Sequence, residues 1–337
     1  MNGQTCKVVS DDLELFCPMH PTPRITLLLL TFNQESLVEA AVRSCLTQDS
    51  EPLEIVLSDD ASTDGTYDIL CALAAAYRGP HEVRVRRNGA NLGVGEHYNA
   101  AVAECKGQLI VTAAGDDISL QHRVRTLVEA WDATGGAVDL VSSHLLDMTH
   151  DGAVVGQIKV DDLKRWTSPD DWVRKRPYVV GAAHAFTRRL FDRFGPIAPD
   201  VLYEDQIMAL RASCLGGGLT VEQPLLQYRR GGLSSAAMAS EAWVRRRHLL
   251  VKYRRQAAVF RQVSLDLGKI GRPDLCLGKV LEKQVQAGLI LKLLQARNWG
   301  ERWDVVRRAG PRYLGWTLFQ ALRLPGRHEA DDSQFVA

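Results

Sequence analysis

The stretch VTAAGDDIS, residues 111–119, runs from an apolar segment through one glycine into two adjacent aspartates. Neighbouring carboxylates repel each other, and burying them without a partner is costly. The apolar run LEIVLS (53–58) ends in the same way, at Asp59 and Asp60. In open α/β sheets, ligands bind beyond the carboxyl ends of the strands. Both acidic pairs are therefore predicted to lie at one edge of one sheet. The alternative is that each aspartate caps the helix that follows.

The first half of the chain alternates between strand-like and helix-like segments. The strand-like segments are ITLLLLTF (25–32), LEIVLS (53–58), EVRVRR (82–87), QLIVTAA (108–114) and VDLVSSHL (138–145). The helix-like segments between them are SLVEAAVRSCLTQ (36–48), TYDILCALAAAY (66–77), HYNAAVAEC (97–105) and RVRTLVEAWDATGG (123–136). A continuous apolar run such as 25–32 is typical of a parallel strand that is buried on both faces. The alternation predicts an α/β fold with a mostly parallel sheet flanked by helices.

The composition is that of a globular protein, with 46% hydrophobic and 24% charged residues among 337. A formal net charge of +1 argues against a dedicated nucleic-acid binder. The seven cysteines contain no CxxC pair, which indicates reduced thiols in a cytoplasmic protein. The first residues lack the pattern of a signal peptide, and no stretch approaches the roughly 20 apolar residues of a membrane span.

Two acidic pairs at one sheet edge suit a cation, or groups that donate hydrogen bonds. Carboxylates acting together with a phosphate ligand favour Mg²⁺ or Mn²⁺, which prefer oxygen donors. A third pair, Glu204 and Asp205 in VLYEDQIMALRAS (201–213), begins a helical pattern. Its alternative interpretation is a helix N-terminus whose dipole favours acidic side chains.

Four segments in this order resemble the signature of family 2 glycosyltransferases with the GT-A fold. They are TFNQE (31–35), DDASTDGT (59–66), NLGVGEHYNAAVAECKGQLIVTAAGDD (91–117), and YED (203–205) followed by LR (210–211). The resemblance covers about 24–235. It implies one Rossmann-like α/β domain that binds a nucleotide-sugar and a divalent metal ion, and usually inversion of the anomeric centre.

The resemblance implies a role for each matching residue on the donor side. Thr31, Phe32 and Glu35 follow the first strand, where the family's loop wraps the nucleoside. Asp59 would accept a hydrogen bond from the base, and Asp60 would lie near the ribose. The segment before the strand at 108–114 adds three further donor-binding candidates, which are Asn91, Gly93 and Asn99.

The same resemblance implies the roles of the later acidic pairs. Asp116 would hold Mg²⁺ or Mn²⁺ between the two phosphates, and Asp117 would orient the donor sugar or support the metal. Asp205 would act as general base on the acceptor hydroxyl, with Glu204 as an acceptor contact. His184 is either a further acceptor contact or a packed polar residue.

The chain departs from the family pattern at three places. Ala114 stands where the first aspartate of the DXD element is expected, and Tyr98 replaces an arginine before Asn99. In QYRRGGLSS (227–235) a glycine replaces the late histidine, so Arg229 or Arg230 is expected to reach the diphosphate instead. The processive QxxRW element is absent, which favours transfer of a single sugar.

The predicted organisation is a GT-A domain at 20–240, a helical basic region at 241–327 and a disordered tail at 328–337. Residues 241–261 contain an excess of Lys and Arg over acids. Three interpretations of the basic region stay open: a solvated face, a surface for anionic lipids at the inner face of the cell membrane, and an element for homo-oligomerisation.

These observations predict an inverting glycosyltransferase that uses a UDP- or dTDP-linked donor and a glycan or lipid-linked acceptor in polysaccharide biosynthesis. An inactive binding or scaffold protein that keeps the fold is the main alternative. A nucleotidyltransferase fits less well, because TFNQES (31–36) has neither Gly nor Lys in the loop. An oxidoreductase fits less well too, because Tyr98 replaces the third glycine of a GxGxxG pattern.

Overall fold

The computed structural model describes residues 24–230 and 242–325. The predicted tail at 328–337, the first 23 residues and the end of QYRRGGLSS lie outside the described residues. Within the described residues the chain forms one nine-stranded sheet covered by helices, followed by further helices. No helix in these two ranges is long and apolar enough to cross a membrane.

The strands are β1 Ile25–Thr31, β2 Glu54–Asp59, β3 Glu82–Arg87, β4 Leu109–Ala114, β5 Ile118–Ser119, β6 Leu140–Met148, β7 Val154–Ile158, β8 Ala185–Thr187 and β9 Gly218–Arg229. The helices are α1 Val38–Leu46, α2 Thr66–Ala76, α3 Val94–Glu104, α4 Arg123–Asp132, α5 Pro169–Arg174, α6 Arg189–Phe194, α7 Glu204–Ser213, α8 Ala242–Lys269, α9 Lys279–Gln295, α10 Trp299–Arg308 and α11 Leu314–Arg323.

The first half of the sheet is parallel, in the order β3-β2-β1-β4. Strand β1 pairs with β2 on one side and with β4 on the other, so that Leu28 lies between Val56 and Thr112. Leu27, Leu28 and Leu29 have no exposed surface, which confirms a strand covered on both faces. The register brings the carboxyl ends of β1, β2 and β4 to the same edge.

The second half of the sheet is mixed. Strand β6 confirms the strand predicted at 138–145, but it does not pair with β4, because β8 lies between them and is antiparallel to both. Strand β9 runs parallel to β6, and the two-residue strand β5 pairs antiparallel with β9. Sequence patterns missed β8, since three residues are too few to show a strand periodicity.

Each face of the sheet packs on its own apolar layer. One layer joins Leu27 and Leu29 of β1 to helices α1, α2 and α4. The other joins Leu28 to residues of α3, α7 and α8. Helix α8 belongs to the region predicted as a separate basic unit, yet its Val259 and Val263 are buried in this second layer. Helix α8 is thus packed against the α/β core.

A buried ion pair fastens α8 to α7. Arg211 Nε donates to Asp266 Oδ2 at 2.8 Å, and both side chains are completely buried. Arg211 also donates to the carbonyl of Gly195 at 2.9 Å, and Gln262 donates to Asp266 Oδ1 at 2.9 Å.

Asp266→Asn is expected to lower the free energy of unfolding by about 3–5 kcal/mol, because the charge of Arg211 would stay buried without its counter-ion. Urea denaturation followed by circular dichroism measures the change. Asp200→Asn is the matched control: it removes the partner of Arg261, another α8 residue, from a half-exposed pair and should change stability little. Equal effects of the two substitutions would contradict the role given to the buried pair.

Candidate active site

A cleft of about 1990 Å³ opens at the carboxyl edge of the parallel strands. Its α/β wall is formed by the ends of β1 and β4, the loops at 91–94 and 175–182, and the start of α7. Its opposite wall is formed by residues of α8, α9 and α11. The candidate residues from the sequence that line this cleft are Thr31, Phe32, Asp60, Asn91, Gly93, Asp116, Asp117, Glu204 and Asp205.

The two aspartates after β4 differ in their surroundings. Asp116 is partly exposed to the cleft; burial raises the pKa of its carboxyl, although Arg229 and Gln34 act in the opposite direction. Asp117 is 3% exposed, and its Oδ1 accepts a hydrogen bond from the backbone N–H of Arg229 at 2.9 Å. Burial and the neighbouring Asp116 raise the pKa of Asp117 to about 8. Asp116 is therefore the more accessible ligand of the two.

The two aspartates at the end of β2, Asp59 and Asp60, make different contacts. Asp60 accepts from Asn88 Nδ2 at 2.7 Å and from the backbone N–H groups of Leu92 and Gly93 at 2.9 Å each, so it shapes the cleft loop. Asp59 is completely buried and does not line the cleft. It accepts from the backbone N–H of Ser62 at 2.9 Å and pairs with Arg87 at 3.3 Å. Its contact with a nucleobase stays a prediction.

The remaining donor-side candidates divide into cleft and scaffold residues. Phe32 is 39% exposed in the cleft, and Thr31 donates from its hydroxyl to the carbonyl of Ser58 at 3.1 Å. Gly93 has φ of 77°, a backbone conformation that favours glycine, and its N–H also donates to Asn91 Oδ1 at 2.8 Å. Glu35 lies outside the cleft lining and accepts from the backbone N–H of Gly65 at 3.0 Å.

Besides Glu35 and Asp59, four more of the predicted site residues lie outside the cleft lining. The side-chain amide of Asn99 donates to the carbonyl of Ile197 at 2.6 Å and accepts from the backbone N–H of Ile197 at 2.9 Å. Arg229 donates to the carbonyls of Asp116 at 3.0 Å and His150 at 2.5 Å. Arg230 forms an exposed pair with Asp147. These corrections share one cause, since each side chain fastens backbone or surface near the cleft instead of facing it.

His184 is the fourth correction. It is 2% exposed, and its Nε2 has no hydrogen-bond partner among the described residues. Burial and the charge of Arg123 lower the pKa of its imidazole to about 3. The packed alternative therefore describes His184, while its neighbours at 181 and 182 line the cleft.

Glu204 and Asp205 stand together at the first turn of α7 and face the cleft. Burial and the adjacent Asp205 raise the pKa of Glu204 to about 8. Burial raises the pKa of Asp205 to about 6, although the Gln206 N–H and the charge of Arg176 stabilise its ionised form. Of the two, Glu204 is therefore the carboxyl that more readily holds a proton and Asp205 the one that more readily ionises, which suits a base beside a proton-donating group.

His97 and Arg176 are among the cleft residues that sequence reasoning missed. His97 is 5% exposed, and its Nε2 shares a hydrogen bond of 2.6 Å with Ser58 Oγ; burial lowers the pKa of its imidazole to about 4. His97 lies within the quoted stretch 91–117, so its position was a usable signal. Arg176 lies near Asp205 and over the ring of Phe260 at 5.6 Å. It comes from an irregular segment in which no pattern marked it.

Comparisons with known proteins agree with this geometry. Residues 26–187 match the family described as Glycosyl transferase family 2. An uncharacterized glycosyltransferase of Nostoc sp. is 25% identical over 65% of this chain and 68% of its own. The succinoglycan biosynthesis protein ExoO of Rhizobium meliloti is 31% identical over 34% of this chain, and the match spans only 32% of that protein.

Two solved structures share the fold at low sequence identity. S. aureus TarS 1–349, in complex with UDP-GlcNAc, has a TM-score of 0.53 at 15% identity, covering 89% of this chain and 88% of that one. The mannosyltransferase PcManGT of Pyrobaculum calidifontis, in complex with GDP-Man and Mn²⁺, has a TM-score of 0.50 at 19% identity, covering 89% of this chain and 84% of that one. The GT-A fold inferred from the sequence is confirmed.

Glu204→Gln is expected to stabilise the protein at pH 8 and to leave its stability unchanged near pH 4.5. The pKa of Glu204 is raised to about 8 from 4.5, so the folded state holds a proton that the unfolded state releases. The stability of the wild type therefore falls as pH rises through this window, and glutamine removes that loss. The gain at pH 8 should be at least about 1.4 kcal/mol, the value of one pKa unit.

Urea midpoints at the two pH values measure this change. The control is Glu222→Gln, at an exposed position of β9, which should shift neither midpoint. If Glu204→Gln shifts the urea midpoint equally at both pH values, the change in stability comes from packing and not from the proton on Glu204.

Proposed function

We propose that this chain, whose residues 26–187 match the family described as Glycosyl transferase family 2, transfers one sugar from a nucleotide diphosphate donor to an acceptor hydroxyl in polysaccharide biosynthesis. The observation that carries the proposal is that Asp116, at the end of β4, and Asp205, at the start of α7, face one cleft. The first suits the diphosphate end of a donor, and the second suits a base on the acceptor.

The donor nucleoside is proposed to bind between Phe32 and the loop held by Asp60. Phe32 offers an exposed ring, and Asp60 holds the backbone of Leu92 and Gly93 so that Asn91 borders the same space. The TarS structure was solved with UDP-GlcNAc. We therefore propose a UDP-linked donor first and a dTDP-linked donor second.

The acidic residues after β4 fit a divalent ion that arrives with the donor. No group of three or more His, Cys, Asp or Glu side chains suited to a metal occurs in the described ranges. Mg²⁺ and Mn²⁺ sites in nucleotide enzymes commonly use one or two carboxylates and fill the other positions with phosphate oxygens and water. Asp116, supported by Asp117, supplies that set. When bound, the ion would neutralise charge on the departing nucleotide diphosphate.

The transfer step is proposed to proceed with inversion. The acceptor oxygen attacks the anomeric carbon from the face opposite the diphosphate, the bond from that carbon to the diphosphate oxygen breaks, and Asp205 takes the hydroxyl proton. Arg176 favours the ionised form of Asp205 that this step needs. Glu204, protonated near neutral pH, is placed to donate a hydrogen bond to the acceptor.

Asp116→Ala is expected to abolish metal-dependent nucleotide binding. Calorimetric titration with UDP, dTDP, GDP and CMP, each with and without Mn²⁺, identifies the nucleotide that the wild type binds. The variant should lose the contribution of Mn²⁺ because it lacks the accessible carboxylate. The control is Asp192→Ala on the exposed side of α6, which should bind as the wild type does.

Asp205→Asn separates binding from catalysis in the same experiment. It should bind the nucleotide normally and slow transfer by roughly 10²–10⁴-fold, the usual contribution of a general base. If the wild type binds no nucleotide, the scaffold alternative replaces the enzyme. If nucleotide affinity is the same with and without Mn²⁺, the proposed metal site at Asp116 is wrong.

The exposed surface of α10 and α11 is proposed to contact a membrane that carries a lipid-linked acceptor. Trp299, Trp303, Phe319 and Leu322 are all at least half exposed, between 50% and 67%. Exposed cations of the same region are Arg297, Arg307, Arg308, Arg312 and Arg323. Aromatic side chains among arginines are typical of helices that lie at an anionic membrane surface. Trp316 and Gln320 of α11 line the cleft, so this surface adjoins the site.

Co-sedimentation with vesicles tests the membrane contact. The protein should bind phosphatidylglycerol vesicles and not phosphatidylcholine vesicles, and the double variant Trp303→Ser/Phe319→Ser should lose binding. The matched control, Leu265→Ser/Leu277→Ser, removes two exposed apolar side chains elsewhere and should bind normally. Loss of a dimer instead of vesicle binding in the first variant would favour homo-oligomerisation through these helices.

A further inference from the structure

The two walls of the cleft differ in their charged residues. The α/β wall presents the acidic side chains of Asp60, Asp116, Asp117, Asp161, Glu204 and Asp205 together with the cations Lys175 and Arg176. The helical wall presents three cations, Lys252 and Arg255 of α8 and Lys283 of α9, and its described lining residues include no carboxylate. A divalent ion that arrives with the donor accounts for acidic residues, whereas three cations without a carboxylate among them suit an anionic group.

These cations are not engaged by acidic side chains. Within 24–230 and 242–325, none of the three forms an ion pair with a carboxylate. Lys252 lies over the ring of Tyr253 at 5.9 Å, and Lys283 Nζ is 3.5 Å from Gln286 Oε1. Arg255 Nε is buried with no hydrogen-bond partner among the described residues. A buried donor without a partner is costly, so this atom points to a group that binds there.

Two of the cations lie one to two turns along α8 from the candidate base. Helix α8 passes Asp205 near Val259 and Phe260, since Val259 lines the cleft with Asp205 and Arg176 lies over Phe260. At 1.5 Å per residue, Arg255 and Lys252 stand about 6 and 11 Å further along the helix, away from its anchor at Asp266. Asp116, at the donor end, comes from the opposite wall.

The other residues of the helical wall suit a sugar-containing ligand. Gln256, Gln286 and Gln320 offer amides that donate and accept hydrogen bonds, as hydroxyl groups require. Tyr253 and Trp316 offer ring faces on which a sugar packs. Lys283, Gln286, Ala287 and Ile290 follow the spacing i, i+3, i+4, i+7, so one face of α9 is turned to the cleft.

Resting on the proposed glycosyl transfer, we propose that this helical wall is a binding site for a phosphate group of the acceptor. Lys252 and Lys283 supply point charges, and Arg255 supplies a planar fork that matches phosphate oxygens. The phosphate belongs either to a lipid diphosphate that carries the growing glycan or to a phosphodiester within a soluble glycan. In either kind of acceptor, a neutral sugar hydroxyl would lie near Asp205 and the phosphate would lie one to two helical turns away.

The test compares the triple variant Lys252→Gln/Arg255→Gln/Lys283→Gln with a control that has the same loss of charge. The control is Arg247→Gln/Arg254→Gln/Lys279→Gln, which removes three exposed cations of α8 and α9 outside the cleft lining. The probes are N-acetylglucosamine, its 1-phosphate, and N-acetylglucosaminyl diphosphate carrying a farnesyl chain. Each is titrated calorimetrically, with the donor site filled by the bound nucleotide and Mn²⁺ and again without them.

The wall variant should bind the two phosphate probes at least tenfold more weakly than the wild type, and the control should bind them normally. Affinity for the neutral sugar should not change. Preference for the farnesyl probe would identify a lipid diphosphate, and equal affinity for both phosphates would identify a soluble glycan. Equal losses in the wall variant and the control would overturn the proposal.

Two further outcomes distinguish failure of the phosphate-site proposal from failure of the proposed glycosyl transfer. If the wall variant loses nucleotide binding and keeps the phosphate probes, the wall holds the donor diphosphate and the acceptor proposal is wrong. If the wild type binds no nucleotide, the proposed function fails, while the titration without nucleotide still tests the phosphate site. Should the triple variant unfold, the single variants Lys252→Gln and Lys283→Gln, both at exposed positions, answer the same question.

Discussion

Desolvation of carboxylates at the edge of a parallel sheet is the constraint on which the rest of the site depends. Strands β1, β2 and β4 are buried on both faces, so the residues that follow them leave the core together. Asp60 and Asp117 are nearly buried there, and backbone N–H groups hold each of them. Asp116 keeps access to the cleft. Burial therefore sorts similar side chains into those that shape loops and one that is free to bind a ligand.

The shape of the cleft also depends on the contact between α7 and α8. The buried pair of Arg211 and Asp266 fixes α8 behind the helix that begins with Glu204 and Asp205. Because α8 continues past that contact, its residues reach the opposite side of the cleft and form the second wall with α9 and α11. A chain that ended at β9 would present the same acidic edge on an open surface. The C-terminal helices convert that edge into an enclosed site with charges of both signs.

Sequence patterns predicted the parts of the site that are local. The strands β1, β2 and β4, the acidic pairs at their ends, and the acidic start of α7 were all visible as short motifs. The patterns did not predict β8, which is short, or Arg176, which comes from an irregular segment. They also placed Asn99 and Arg229 at the ligand, although these side chains bind backbone, and they left His184 open between an acceptor contact and a packed residue, of which its burial favours the second. A motif marks a position along the chain, but not the direction in which its side chain points.

The sequence by itself determined the fold class and the edge of the sheet at which the acidic pairs lie, because the hydrophobic period and the end of each apolar run are local properties of the chain. Only the tertiary structure decided which carboxylates face the cleft and which protonation state each favours, because burial and neighbouring charge come from segments far apart in sequence. The same holds for the basic wall. Lys252, Arg255 and Lys283 are ordinary members of a basic region in the sequence. They line one cleft with Asp205 only because α8 and α9 pack together and turn residues of both helices toward it.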